Sequence, residues 1–120
     1  MPRRTTPDPL AQAVGARVRA LREAAGLTLE KLAWESEVGS KGYLSDIERG
    51  LARPTLPTLQ RIADHLEVDL LDLVTFPDDS DRQRLVVLTR TLPPGTIRKL
   101  LKELASKGPP ARKRARETPT

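Results

Sequence analysis

Few residues in this chain could support catalytic chemistry. His65 is the only histidine, and the absence of cysteine excludes a disulfide framework and a thiolate metal site. His65 lies in a helical pattern. A catalytic triad would require its pairing with a serine and an aspartate, and no nucleophile-elbow sequence occurs. No glycine-rich phosphate loop occurs either. We therefore expect no catalytic site, no metal and no cofactor, and we rank an enzyme far behind the other function classes.

A different chemistry, hydrogen bonding to the edges of nucleic-acid bases, is available in residues 40–50. A helix over this segment has Leu44 and Ile47 on its inner side and polar residues on its outer side. The outer side carries Lys41, Gly42, Tyr43, Asp46 and Arg49. A lysine can donate to guanine O6 or N7, and an aspartate can accept from cytosine N4. A helix about 10–12 Å across fits the major groove, so this segment is the candidate reading helix.

Short helices must position that segment, and the spacing of apolar residues predicts five of them within residues 10–77. The stripe of the first comprises Leu10, Val14, Val18, Leu21 and Ala25. The second follows Thr28 as N-cap and ends near residues 35–36. The third follows Ser40 and ends at Gly50. Residues 28–50 therefore form a helix, a tight turn and a second helix, flanked by supporting helices.

Two more helices complete this predicted domain. Thr55 can cap the fourth and Asp69 can cap the short fifth. The fourth has its stripe at Leu59, Ile62, Ala63 and Leu66, and the fifth at Leu70, Leu71, Leu73 and Val74. Helices this short, joined by short loops, favour a compact orthogonal domain over a bundle of long parallel helices.

A helical extension is predicted in residues 78–107. Residues 85–89 have a composition compatible with a short strand, but helix is the preferred interpretation. The apolar stripes comprise Leu85, Leu88 and Leu92, and then Ile97, Leu100, Leu101 and Leu104. These stripes need burial, either against the front domain or against a second copy of the chain. We favour dimerisation.

Charge is distributed unevenly along the chain. Residues 1–77 hold 10 Lys and Arg against 11 Asp and Glu, whereas residues 78–120 hold 11 against 5, within an overall charge of +5. The positive excess therefore lies behind the candidate reading helix. We predict a flexible arm at 1–9 and a basic disordered tail at 108–120. That tail is either a solvated end or an additional, salt-dependent phosphate contact.

No apolar run approaches the roughly 20 residues needed to span a bilayer. The first nine residues are polar and proline-rich, without the apolar region of a secretory signal. We expect a cytoplasmic, nucleoid-associated protein without a membrane partner.

Four segments together carry a resemblance to a known family. They are GARVRALR at 15–22, GLTLEKLA at 26–33, YLSDIERG at 43–50 and PTLPTLQRIA at 54–63. In this order and spacing they resemble the lambda repressor and Cro-like regulators, the XRE family of helix-turn-helix transcriptional regulators. The resemblance covers about half the chain, from Gly15 to Val74.

The resemblance implies an all-α fold in which five helices form the DNA-binding domain and the third helix reads the major groove of double-stranded DNA. By this resemblance Ser40, Lys41, Gly42 and Asp46 take base-contacting positions, and Arg49 and Arg53 take phosphate-contacting positions. Arg17 would reach the DNA backbone from the first helix, and Tyr43 either contacts DNA or packs on its helix. Arg22 and Glu48 are expected to form a structural ion pair between the first and third helices. The implied protein is a sequence-specific regulator, a repressor acting as a homodimer.

Two departures from the family pattern concern DNA contact. Leu29 stands where the family usually has glutamine or a similar polar residue that supports DNA contact. The turn is one residue longer than usual, and Glu37 replaces its glycine. Leu29 and the near-neutral front half support an alternative, a protein-interaction module on the same fold such as an antitoxin or a bridging factor.

Overall fold

The computed structural model describes residues 6–108, and within them it contains α-helices and no strand. The helices are α1 (Pro9–Ala24), α2 (Leu29–Ser36), α3 (Lys41–Glu48), α4 (Leu56–Leu66), α5 (Leu70–Leu73), α6 (Asp81–Thr89) and α7 (Pro94–Ser106). The all-α fold class is therefore confirmed. The start of the predicted arm and the predicted tail beyond Gly108 lie outside the described residues.

Contacts divide the chain into two units. The first unit ends at Val87 and the second begins at Leu88, so the division falls inside α6. The boundaries expected from the sequence, 1–9, 10–77, 78–107 and 108–120, stay predictions.

Local capping chemistry sets the starts of the helices that carry the candidate site. Thr28, Ser40 and Thr55 each accept a hydrogen bond from the backbone N–H three residues further on, at 3.0, 3.1 and 3.3 Å. Each bond satisfies one of the amide groups left unpaired at a helix start. These N-caps were predicted from the sequence and are confirmed.

The first helix differs from its prediction at its beginning. Asp8 accepts a hydrogen bond from the backbone N–H of Ala11 at 3.1 Å, so the helix starts at Pro9 and overlaps the predicted arm. A proline is well tolerated in the first turn of a helix. Leu10 is exposed and Ala11 is buried instead, because the inner face begins one residue later than the predicted stripe.

An aliphatic core holds α1 to α5 together. Its fully buried side chains include Val18, Leu32, Leu44, Ile47, Ile62 and Leu73. In α5 the prediction was too broad, since Leu71 and Val74 are exposed. A helix of one turn can bury only one side, and in α5 the buried residues are Asp72 and Leu73.

The segment that could have been a strand is helical, because α6 spans Asp81–Thr89. In the second unit, α7 carries an apolar stripe. Leu100, Leu101 and Leu104 are 37%, 61% and 62% exposed. None of the helices described within residues 6–108 combines the length and the apolar character that a bilayer-spanning segment needs.

Candidate nucleic-acid interface

The third helix has one buried side and one outward polar side. Leu44 and Ile47 are fully buried, and they fix the helix against the core. Ser40, Lys41, Gly42 and Arg49 are exposed, whereas Tyr43 and Asp46 are half-buried. Tyr43 packs partly against the core, so its ring is shared between interior and surface. The division into inner and outer sides is the one that the sequence predicted.

The turn between α2 and α3 accommodates its extra residue through unusual backbone angles. Glu37 closes α2 in the left-handed region, with φ of 57°, and Gly39 follows with φ of 119°. A side chain is disfavoured at positive φ, which is why glycine is common at the position Glu37 occupies. Val38 between them is buried, and it fastens the turn to the core.

A buried ion pair joins α3 to α1. Nε of Arg22 donates to Oε2 of Glu48 at 2.6 Å, and Nη2 donates to Oε1 at 3.1 Å. Their side chains are only 10% and 5% exposed. The hydrogen bond to Glu48 raises the pKa of Arg22 above its ordinary value, against the opposing effect of burial. Nη1 of Arg22 also donates to the carbonyl of Leu27 at 2.7 Å. The pair therefore fixes where the end of α3 lies.

The backbones of α1 and α3 are in direct contact beside this pair. A Cβ atom added to Gly15 would clash with the carbonyl oxygen of Ile47 and would lie 2.7 Å from that of Glu48. A Cβ at Gly50 would lie 2.6 Å from Cα of Gln12. Only glycine allows this approach, so Gly15 and Gly50 help to set the position of α3.

Each of three candidate DNA-contacting cations is paired with a carboxylate. The pairs and their N–O distances are Lys41–Glu30 at 3.2 Å, Arg49–Asp46 at 3.1 Å and Arg53–Asp8 at 3.2 Å. These carboxylate partners were not predicted from the sequence. Glu30 lies on another helix, and Asp8 lies 45 positions from Arg53. Only the spacing of Asp46 and Arg49, three residues apart on one helix, could have indicated a pair.

Arg17, to which the resemblance assigns a contact with the DNA backbone, is hydrogen-bonded inside the first unit. Its Nε donates to the backbone carbonyl of Asp72 at 2.8 Å, and its Nη2 is buried. The guanidinium therefore links α1 to α5 inside the first unit. The expected contact of Arg17 with the DNA backbone stays a prediction.

Two large apolar residues of α2, Leu29 and Trp34, lie in different environments. Leu29 is half-buried and packs against the core, although the family usually has a polar side chain at this position. Trp34 is 83% exposed.

Within the described residues no cluster of His, Cys, Asp or Glu could hold a metal ion.

A family model described as "Helix-turn-helix domain" matches residues 13–75. The HTH-type transcriptional regulator DdrOP3 of Deinococcus deserti is 42% identical over 66 residues, which cover 52% of this chain and 50% of that protein. The match therefore spans about half the length of that relative.

Solved structures show the same fold. The restriction-modification controller protein C.AhdI of Aeromonas hydrophila matches with a TM-score of 0.51 and 32% identity, over 52% of this chain and 94% of that chain. A chain of the SinR protein/SinI protein complex matches with a TM-score of 0.57 and 26% identity, over 78% of this chain and 96% of that chain. The all-α fold is therefore shared with proteins that include helix-turn-helix regulators.

Proposed function

Because this chain belongs to the helix-turn-helix domain family, we propose that it regulates transcription as a sequence-specific, dimeric DNA-binding repressor that inserts α3 into the major groove. The observation that carries the proposal is the two-sided character of α3. Its inner side, Leu44 and Ile47, is fully buried, and its outer side is polar. Because the core holds α3 by its buried side, the polar side is available to the DNA major groove, which is wide enough to admit an α-helix. Bound to chromosomal DNA, the protein would act at the nucleoid in the cytoplasm.

The proposed side-chain roles follow from donor and acceptor chemistry. Lys41 donates to guanine, Asp46 accepts from cytosine N4, and Ser40 and Tyr43 contact the groove from the start of α3. Gly42 allows close approach, since a Cβ there would find nothing nearer than Oγ of Ser40 at 3.8 Å. Arg49 and Arg53 contact phosphates and fix the register. Arg17 is left out of this interface because it is bonded to α5.

Genome-wide capture of bound DNA followed by sequencing would supply the cognate site for testing these roles. Lys41→Ala is expected to weaken cognate binding by about 1–3 kcal/mol, and Arg49→Ala to reduce the salt slope by about 1. Fluorescence anisotropy against salt concentration would measure both. Arg19→Ala is the matched control, since Arg19 is an exposed cation paired with Glu23 on α1. Unchanged cognate affinity in both α3 variants would overturn the proposed reading of the groove.

The proposed dimer uses α7. Its stripe, Ile97, Leu100, Leu101 and Leu104, runs along one side of a helix of 13 residues and is largely exposed in one chain. Regulators of this type read two half-sites about one helical turn apart with a two-fold dimer. A second copy of α7 would cover the stripe and supply the second reading helix.

Replacing Leu101 and Leu104 together by glutamine is expected to convert the protein to a monomer. Each buried leucine contributes roughly 1.5–3 kcal/mol, so the dimer dissociation constant should rise by more than about a hundredfold. Sedimentation equilibrium would measure it. Lys99→Gln with Lys102→Gln alters the other side of the same helix and should leave the dimer intact. A dimer unaffected by the leucine substitutions would exclude α7 as the contact.

A protein-interaction module is the second candidate function. The observation that favours it is the exposure of Trp34, because tryptophan is enriched among the residues that dominate protein interfaces. One of the similar folds was solved in the SinR/SinI protein complex. The two candidates differ in DNA binding. The regulator should bind its captured site far more tightly than competitor DNA, and the module should show no such preference.

A further inference from the structure

The ion pairs at the candidate interface contribute little to folding. The side chains of Lys41 and Glu30 are 58% and 73% exposed, and exposed pairs typically contribute about 0–1 kcal/mol. Their larger effect is to reduce the net positive charge of the candidate interface. Lys41, Arg49 and Arg53 each have a carboxylate oxygen within 3.2 Å, so the positive charge available to phosphates is locally balanced.

Of the three carboxylates, Glu30 is the one whose effect on the charge of the interface can best be tested, because the other two have a second role. Asp8 also caps α1, and Asp46 is itself a proposed base reader. Glu30 lies in the first turn of α2, where the helix dipole favours negative charge, and it reaches across to Lys41 on α3. It therefore connects the supporting helix to the first residue of the proposed reading helix.

We propose that Glu30 restrains sequence-independent DNA binding by holding the ammonium group of Lys41. The proposal rests on the proposed function of α3. Sequence-independent binding comes almost entirely from cations that neutralise phosphates. A phosphate that approaches Lys41 must displace Glu30 and then lie close to the released carboxylate. The net gain from Lys41 on arbitrary DNA is therefore small, whereas cognate DNA also supplies base-edge contacts.

Glu30→Gln in the full chain tests the restraint, with a duplex of random sequence as the probe. The substitution keeps the shape of the side chain and removes its charge. We expect random duplex to bind roughly three- to tenfold more tightly at low salt, with a slope of log affinity against log salt steeper by about 0.9, the value of one additional phosphate contact. Fluorescence anisotropy across a salt series measures both quantities.

Two matched variants separate pairing from net charge. Glu35→Gln removes the same charge from an exposed position on the same helix, and it should tighten binding far less. In a Lys41→Gln chain, Glu30→Gln should have almost no effect, because the held cation is gone. Equal tightening by Glu35→Gln, or tightening that persists without Lys41, would overturn the proposal.

The remaining outcomes distinguish this inference from the function on which it rests. If the unaltered chain binds random duplex and Glu30→Gln binds it no more tightly, the restraint is overturned and the groove-reading function stands. If neither the unaltered chain nor Glu30→Gln binds any duplex at low salt, the proposed DNA-binding function fails, and the restraint fails with it.

Discussion

Glu48→Ala is expected to lower the free energy of unfolding by about 3–5 kcal/mol. The substitution leaves the guanidinium of Arg22, in a side chain only 10% exposed, without the carboxylate that accepts two of its hydrogen bonds. An uncompensated buried charge is far more costly than the loss of an exposed pair. Urea denaturation followed by circular dichroism would measure the change.

Two control variants test whether the stability lost in Glu48→Ala comes from the unpaired buried charge. Glu23→Ala breaks the exposed pair with Arg19 and should change stability by less than about 1 kcal/mol. Replacing both buried partners, Arg22→Met with Glu48→Leu, should recover much of the lost stability, because no charged group is then left buried. A Glu48→Ala chain as stable as the Glu23→Ala chain would contradict the structural role of the buried pair.

Gly15→Ala should also be strongly destabilising, by about 3 kcal/mol. The added methyl group meets the carbonyl oxygens of Ile47 and Glu48, which are backbone atoms and cannot rotate away as a flexible side chain could. Relief requires α1 to move away from α3. Thermal and urea denaturation of the purified chain would measure the loss.

Gly42→Ala is the matched control for that substitution. It adds the same methyl group to a helix, but the nearest atom lies 3.8 Å away, in ordinary contact. Its stability should be unchanged or higher by up to about 1 kcal/mol, because alanine is the better helix former. If both variants unfold alike, the close contact between α1 and α3 does not have the proposed importance.

Features governed by neighbours in the chain could be predicted from the sequence. The N-caps Thr28, Ser40 and Thr55 and the inner positions Leu44 and Ile47 depend on local hydrogen bonds and on helical periodicity, and all five were predicted correctly. Periodicity fails near helix ends and in very short helices, where one side cannot be distinguished from another. Leu10 and Leu71 were misplaced for that reason.

Features that depend on how helices meet could not be derived from spacing alone. The placement of Arg22 beside Glu48 came from the family resemblance, because nothing local connects residues 26 positions apart. The partner of Lys41 and the bond from Arg17 to α5 were missed for the same physical reason. Long side chains reach in several directions, and only the packed helices decide which acceptor is near.

The guanidinium of Arg22 closes a ring. The backbone runs from α1 through Leu27, α2 and the turn to Glu48 at the end of α3. The side chain of Arg22, which belongs to α1, then binds Glu48 and also donates to the carbonyl of Leu27. Because α3 belongs to this ring, its unfolding also removes the carboxylate that accepts from Arg22. Amide hydrogens of α3 should therefore be more strongly protected from exchange with solvent than the bonds of so short a helix alone would make them.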